Sequence, residues 1–493
     1  MMLEEARTFA GREHRLYLGG RWVDGPEGKT LETHDPSTGL HLSKVPAAGS
    51  SELDSAVRAA RQAVDGGEWS RLTPADRQKV IWRLGDLMVE HADELAALES
   101  LDTGKPLRDS RFFDVLNAAS SFHYCAGWAT KLNGETIGVS RPGEWHAYTV
   151  HEPVGVVAAI VPWNAPLMIA SAKVAPALAA GCSVVLKPAE ETPLTALRLA
   201  ELSLEAGLPA GALNVLTGTG PELGDAMVRH PGIDKVAFTG STEVGRHIVR
   251  QAADSFKRVS LELGGKSPVI VLSDADLDRA TPLVAQGIFA NTGQACNAGS
   301  RLFAESAVFD RVVEGVAEYA AQLRVGQAFS EETQMGPLIS QVQLDRVAGY
   351  VDIGLSEGAD IRVGGKVLER DGYFIEPTVL SGTRTEMRVA REEIFGPVLC
   401  AMSVTGDDLD DIVAEANATN YGLGASVWTR DLGKAHRIAR RLKAGTVRIN
   451  GGGLDPALPF GGYKESGWGR ESGLQGVQEY TELKSVMISL GEV

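Results

Sequence analysis

The sequence predicts an α/β fold: two doubly wound parallel-sheet domains, accompanied by a small element made of a β-hairpin and a C-terminal tail. Three observations carry this expectation. At 493 residues the chain is long enough for two or three domains, each with its own core. From Val154 to Leu186 the only charge is Lys173, yet Pro162, Asn164, Pro166 and Gly181 cut the run into pieces too short to span a membrane. Short apolar runs then alternate with helix-period segments as far as Ile449, as repeated β and α elements do.

In order, the segment from Leu53 to about Leu132 carries long helical periods, and Gly134 to Glu152, with alternating Trp145, Ala147 and Thr149, reads as a hairpin. Gly155 to Val161 reads as a strand, Leu167 to Ala180 as a helix and Ser183 to Lys187 as a strand. The alternation continues through a helix at Thr195 to Ala206, strand Leu213 to Leu216, helix Glu222 to Arg229, strand Lys235 to Phe238, helix Thr242 to Ala253 and strand Arg258 to Glu262. A second series starts at Pro268 to Leu272. Its helices lie around Ala280 to Ala290, Phe309 to Leu323 and Val342 to Gly354, and its strands at Val398 to Ser403, Ala425 to Trp428 and Thr446 to Ile449. Val486 to Leu490 is a strand-like tail, and a hairpin plus a terminal strand is a device for assembly because exposed strand edges invite pairing.

Charge narrows the partners. With 48 Lys and Arg against 64 Asp and Glu, the net charge is -16, which disfavours nucleic acid and anionic membrane surfaces. Four cysteines without a CxxC pair point to a reduced, cytoplasmic protein, and the acidic start lacks the apolar core of a secretory signal. The ten histidines are dispersed and His151-Glu152-Pro153 does not extend to a metal motif, so no metal site is expected.

The first βα turn, Val161 to Pro166, lacks GxGxxG. Gly218-Thr219-Gly220 and Gly240 to Gly245 do not fit it either, and each alone reads more simply as a turn. Phe238-Thr239-Gly240-Ser241 is a strand end followed by a hydroxyl at a helix start, where free amides can hold a pyrophosphate. Lys187-Pro188-Ala189-Glu190 closes the next strand, where dinucleotide folds place an acid for ribose hydroxyls; a solvated loop charge is the alternative. Cys182 and Cys400 sit in apolar runs and Cys125 in a helical stretch, as inert thiols do. Cys296 lies in the polar, glycine-bearing loop Asn291 to Ser300, whose amides could stabilise a thiolate or an oxyanion, although from this alone an ordinary loop cysteine is the simpler reading. Glu262 ends a strand and opens Leu263-Gly264-Gly265-Lys266, so its carboxylate could project into a cleft, where it reads as a general base or as a merely solvated strand-end acid.

Six motifs, Pro162-Trp163-Asn164, Phe238-Thr239-Gly240-Ser241, Glu262 to Lys266, Gly293-Gln294-Ala295-Cys296, Glu393 to Pro397 and Pro459 to Gly467, resemble in identity and order those of the NAD(P)-dependent aldehyde dehydrogenase superfamily. The resemblance spans nearly the whole chain. It implies an NAD-binding domain of residues 1–131 and 153–264, a catalytic domain of 265–470, and an oligomerisation element of 132–152 and 471–493 that would build a homodimer or homotetramer. It implies that Cys296 is the nucleophile, Glu262 the general base, and Asn164 an oxyanion donor with the amide of Cys296. Lys173 and Glu471 match positions proposed to relay a proton. Lys187 and Glu190 match those that hold the adenosine ribose, Trp163 and Ser241 those near the pyrophosphate, and Glu393 with Phe395 those that position the nicotinamide. Gly220, Phe238, Gly240 and Leu263 fall with the cofactor as well.

By the same resemblance, an aldehyde would be oxidised through a thiohemiacetal and a thioester on Cys296, with NAD preferred and NADP tolerated. Members that pass the acyl group to coenzyme A generally lack the glutamate at Glu262, so hydrolysis is favoured; a retired, non-catalytic member would have lost Cys296 or Glu262. A cofactor-free cysteine hydrolase needs a His partner, which these motifs do not contain. Positions that would line the aldehyde tunnel are Ala165, Ala172 and Ala290, which favours a bulky aromatic or long aliphatic aldehyde. No Arg occurs in those stretches to pair with a second carboxylate, while the loop Gly451 to Leu458 would be able to narrow the tunnel.

Overall fold

The computed structural model describes residues 2–405, 408–453 and 455–491. Leu454, in the loop expected to shape the tunnel, and the last two residues of the tail lie outside that description.

Two large sheets form, both mainly parallel. The first runs in the order Gly467–Trp468, Arg258–Glu262, Lys235–Thr239, Val156–Ile160, Ser183–Lys187, Leu213–Val215, Leu16–Leu18 and Arg21–Val23, with its five central strands parallel. Alternate residues of these strands enter two separate cores. Val157, Ala159, Val184 and Leu186 face the layer of Pro74–Glu90, Leu116–Trp128, Pro166–Ala180 and Leu194–Glu205. Val156, Ala158, Val185 and Val236 face Ser50–Val64 and Thr242–Ala253. Both faces are therefore covered, which explains the charge-poor run without a bilayer; no helix among the described residues is long and apolar enough to cross a membrane. The buried helix begins with Pro166 and stops at Gly181, whose φ of 96° suits glycine.

The second sheet runs Asp360–Val363, Thr378–Ser381, Val398–Val404, Arg301–Glu305, Pro268–Val271, Gly424–Trp428 and Thr446–Ile449, parallel except for its first member. In each sheet the first parallel strand in sequence, Val156–Ile160 or Pro268–Val271, lies between strands that follow on opposite sides. Such switch points open crevices at the carboxyl ends, where α/β folds bind ligands.

Element positions follow the sequence reading closely, with informative departures. The helix expected from Glu222 starts instead as a π-turn, Gly220–Gly224, before Asp225–Arg229. Arg301–Glu305 was hidden by its leading arginine, which is fully buried because Nε donates to Lys266 O at 2.9 Å and Nη2 to Ala416 O at 2.7 Å. The three-residue strands Leu16–Leu18 and Arg21–Val23 are too short to show a period. The hairpin strands are Thr136–Ile137 and Trp145–Pro153, and the tail, Thr481–Ser489, pairs antiparallel along the whole of the latter as one three-stranded sheet.

Candidate active site

The last parallel strand of the first sheet, Arg258–Glu262, connects to the first of the second sheet, Pro268–Val271, through Gly264 and Gly265. A Cβ at Gly265 would collide with the carbonyl oxygen of Cys296, and one at Gly264 with the Glu393 carboxylate. Only glycines permit this approach, and it gathers strand end, thiol loop and Glu393 at one place.

The thiol loop follows helix Leu277–Phe289 through three successive left-handed residues, Asn291 (φ 50°), Thr292 (φ 55°) and Gly293 (φ 68°). Left-handed backbone at non-glycine residues costs on the order of 1–3 kcal/mol each and needs support. Here Asn291 Nδ2 donates to Asn164 O at 2.9 Å and to Gln294 O at 3.0 Å, and Thr292 Oγ1 donates to Gly336 O at 3.0 Å. Gln294 Oε1 accepts from Ile339 N–H at 3.0 Å. The buried Asn164 amide donates to Gln294 O at 3.0 Å, which uses one of its two N–H groups and fixes the direction of the other. Asn291 and Gln294 were not singled out by sequence reasoning; their signal was polar residues in a turn after a helix.

Glu262 is 3% exposed, and its Oε2 is buried without a partner. Burial first, then the charge of Glu471, pushes its carboxyl well above the usual carboxylate range, while Lys173 and Arg470 oppose that. Lys173, buried mid-helix, forms an ion pair with Glu471, and both charges act on Glu262. Cys296 is half-buried, whereas the other three cysteines are buried. The desolvation of its thiol, followed by the negative charges of Glu262, Glu393 and Glu471, pushes its pKa up. Burial raises the Glu393 carboxyl to about 7 against the hydrogen bond that its Oε1 accepts from Gly265 N–H at 2.9 Å.

At the switch point of the first sheet, the Trp163 and Phe395 rings meet edge to face, centroids 5.3 Å apart at 83°. Phe395 holds a φ of 60°, with its carbonyl accepting from Gln343 Nε2 at 2.7 Å. Ser241 caps helix Thr242–Ala253 by accepting from Val244 N–H at 3.2 Å. The Thr239 hydroxyl beside it is buried and unpartnered, a feature the sequence reading passed over. Lys187, whose ammonium pKa burial lowers, approaches Glu190 Oε2 at 3.4 Å, and the other Glu190 oxygen accepts from Gly220 N–H. Phe238 and Leu263 are core residues beneath this crevice: the Phe238 ring fills the space a side chain on Gly240 would need, and Leu263 lies against Gly245.

Ala172 lines a recess of about 10 Å³ with Tyr124 and Cys125. A larger cavity of about 340 Å³ lies beside Asn297, bounded by Phe113, Leu283, Trp428, Arg448 and Phe460, and includes neither Ala165 nor Ala290.

Comparison with known proteins agrees with this architecture. The sequence profile of the aldehyde dehydrogenase family matches residues 22–486. Phenylacetaldehyde dehydrogenase of Pseudomonas fluorescens is 47% identical over 483 residues, covering 97% of this chain and 96% of that protein. The NAD+ complex of an aldehyde dehydrogenase from Bacillus cereus superposes with a TM-score of 0.96 at 45% identity over 99% of both chains. Betaine aldehyde dehydrogenase of Staphylococcus aureus, also an NAD+ complex, gives 0.97 at 39% identity over 100% of this chain and 98% of its own.

The thiol's surroundings predict its reactivity. In the ligand-free protein, iodoacetamide is expected to label Cys296 before the other cysteines, at a rate still rising past about pH 9, beyond the ordinary thiol value. Glu262→Gln removes a negative neighbour and moves that rise to lower pH. Peptide mass spectrometry reads both, and a rate already level at neutral pH would contradict the electrostatics.

Proposed function

The chain belongs to the aldehyde dehydrogenase family, and from that premise we propose that it oxidises a bulky apolar or aromatic aldehyde to its carboxylic acid with NAD. The observation that carries the proposal is the approach of the Cys296 loop to Gly265, with the Asn164 amide tied to that loop and Glu262 ending the adjoining strand. The aromatic preference draws support from the similarity to phenylacetaldehyde dehydrogenase and from the small side chains of Ala165, Ala172 and Ala290.

The residues at the first crevice fit a dinucleotide. The unpartnered Thr239 hydroxyl, the helix start at Ser241 and the bare backbone of Gly240 suit a pyrophosphate. Glu190, steadied by Gly220 N–H and Lys187, suits ribose hydroxyls, and Trp163, Glu393 and Phe395 flank the path toward Cys296. When bound, NAD supplies the acceptor for the hydride that leaves the substrate carbon.

The remaining chemistry belongs to side chains. Cys296 as thiolate attacks the aldehyde carbon, and the oxyanion of the thiohemiacetal takes hydrogen bonds from the second Asn164 N–H and the Cys296 amide. After oxidation the thioester on Cys296 is attacked by a water that gives its proton to Glu262, and the acid departs. The Lys173–Glu471 pair behind Glu262 offers a relay for that proton. An unpaired carboxylate oxygen beside the thiol favours hydrolysis over transfer to coenzyme A. The hairpin and tail, exposing Ile137, Leu483, Met487 and Ile488, serve a homodimer or homotetramer in this reading. Four free thiols support a reducing, cytoplasmic setting.

Cys296→Ala is expected to abolish NADH formation from aldehyde while NAD still binds, as read by absorbance and by calorimetry; near wild-type turnover would overturn the mechanism. A second outcome concerns the ribose. A 2′-phosphate would face the Glu190 carboxylate, so kcat/KM is expected to be higher with NAD than with NADP and the gap to narrow in Glu190→Gln. Preference for NADP in the wild type would contradict the assignment of Glu190.

A further inference from the structure

The 340 Å³ cavity is of ligand size, and its walls are contributed by the helix Leu277–Phe289, strands Gly424–Trp428 and Thr446–Ile449, and the residues just after Cys296. Phe113, Leu283, Trp428 and Phe460 make it largely apolar. Arg448 is the only charged side chain in its lining among the described residues. Arg448 Nε is buried and without a hydrogen-bond partner, although buried donors are ordinarily matched. The stem of Arg448 runs beneath Gly452, where a side chain would come within 3.5 Å of Cγ and Cδ, so glycine there leaves the arginine clear of a covering group. Burial lowers the guanidinium pKa while Cys296 alone raises it, which puts the two groups in electrostatic reach.

We propose that this cavity receives the far end of the substrate, and that Arg448 selects aldehydes bearing a carboxylate across an aromatic or apolar spacer. A guanidinium fork matches a carboxylate with two parallel hydrogen bonds, and no acidic side chain in the lining competes for it. The negative charge of the whole protein, -16, makes the half-buried Arg448 the feature of this cavity that would admit such an anion. No arginine lies in the stretches around Ala165, Ala172 and Ala290, and Arg448 arrives from a strand more than 150 residues further on than Ala290. The inference rests on the proposed oxidation of bulky aldehydes and adds a charge preference to it.

The test compares kcat/KM for 4-carboxybenzaldehyde, 4-methylbenzaldehyde and acetaldehyde in the wild type, Arg448→Met and Arg448→Lys. The carboxylated substrate is expected to exceed its methyl analogue by roughly tenfold or more in the wild type, as a charge-assisted hydrogen bond would give. That ratio should collapse in Arg448→Met and partly survive in Arg448→Lys. Calorimetric binding of terephthalate, which needs no turnover, should weaken in parallel. A ratio near one in the wild type, or one unchanged in Arg448→Met, overturns the proposal; so does a loss of assembly mass in Arg448→Met with the ratio intact, which would assign the arginine to a subunit contact. If acetaldehyde exceeds both aromatic substrates in every variant, the reading of a bulky substrate fails, whereas aromatic preference without a carboxylate effect sinks the role of Arg448 alone.

Discussion

The site depends on a close backbone approach. Gly264 and Gly265 lie on the passage from the first sheet to the second, where a side chain at Gly265 would overlap the Cys296 carbonyl and one at Gly264 would displace the Glu393 carboxylate. Everything reactive is referenced to that passage: Glu262 stands just before it, Glu393 accepts a hydrogen bond from it, and the thiol loop rests on it. Strain in the loop, three left-handed residues in a row, is sustained because Asn164, Asn291 and Gln294 lock it to the turn after Val156–Ile160. A switch point of the first sheet is thereby joined to a loop of the second domain.

Charge gives the site its second property. Glu262, Glu393 and Glu471 surround the thiol with acid, and burial adds to their effect, so the Cys296 thiol and the Glu262 carboxyl are both pushed above their ordinary pKa ranges. The countercharges are few: Lys173 is engaged by Glu471, and Arg470 lies beyond Glu262. In the proposed reaction, hydrogen-bond donors at Asn164 and the Cys296 amide would favour negative charge on the substrate oxygen.

Much of this was legible in the sequence, for physical reasons. Parallel strands covered on both faces read as apolar runs, and Pro166, Gly181 and the Gly264-Gly265 pair punctuate them where the backbone demands it. Cys296 stood out because it alone among four cysteines sits in polar, turn-forming surroundings. What stayed hidden depends on distant partners. Arg301 begins a central strand, yet its burial is intelligible only with the carbonyls of Lys266 and Ala416 beside it. Phe238 and Leu263 belong to motifs that read as cofactor contacts, and the fold also packs them into the core under the first sheet. Arg448 occupied an unremarkable strand position until Phe113, Trp428 and Phe460 closed a cavity around it.

The central claim is that Glu262 deacylates a thioester held on Cys296, and the most direct measurement is a rapid-quench experiment on Glu262→Gln with NAD and benzaldehyde. The account predicts a burst of NADH of about one per chain, a stall, and an acyl adduct on the Cys296 peptide by mass spectrometry. Steady turnover at the wild-type rate with no adduct would contradict it.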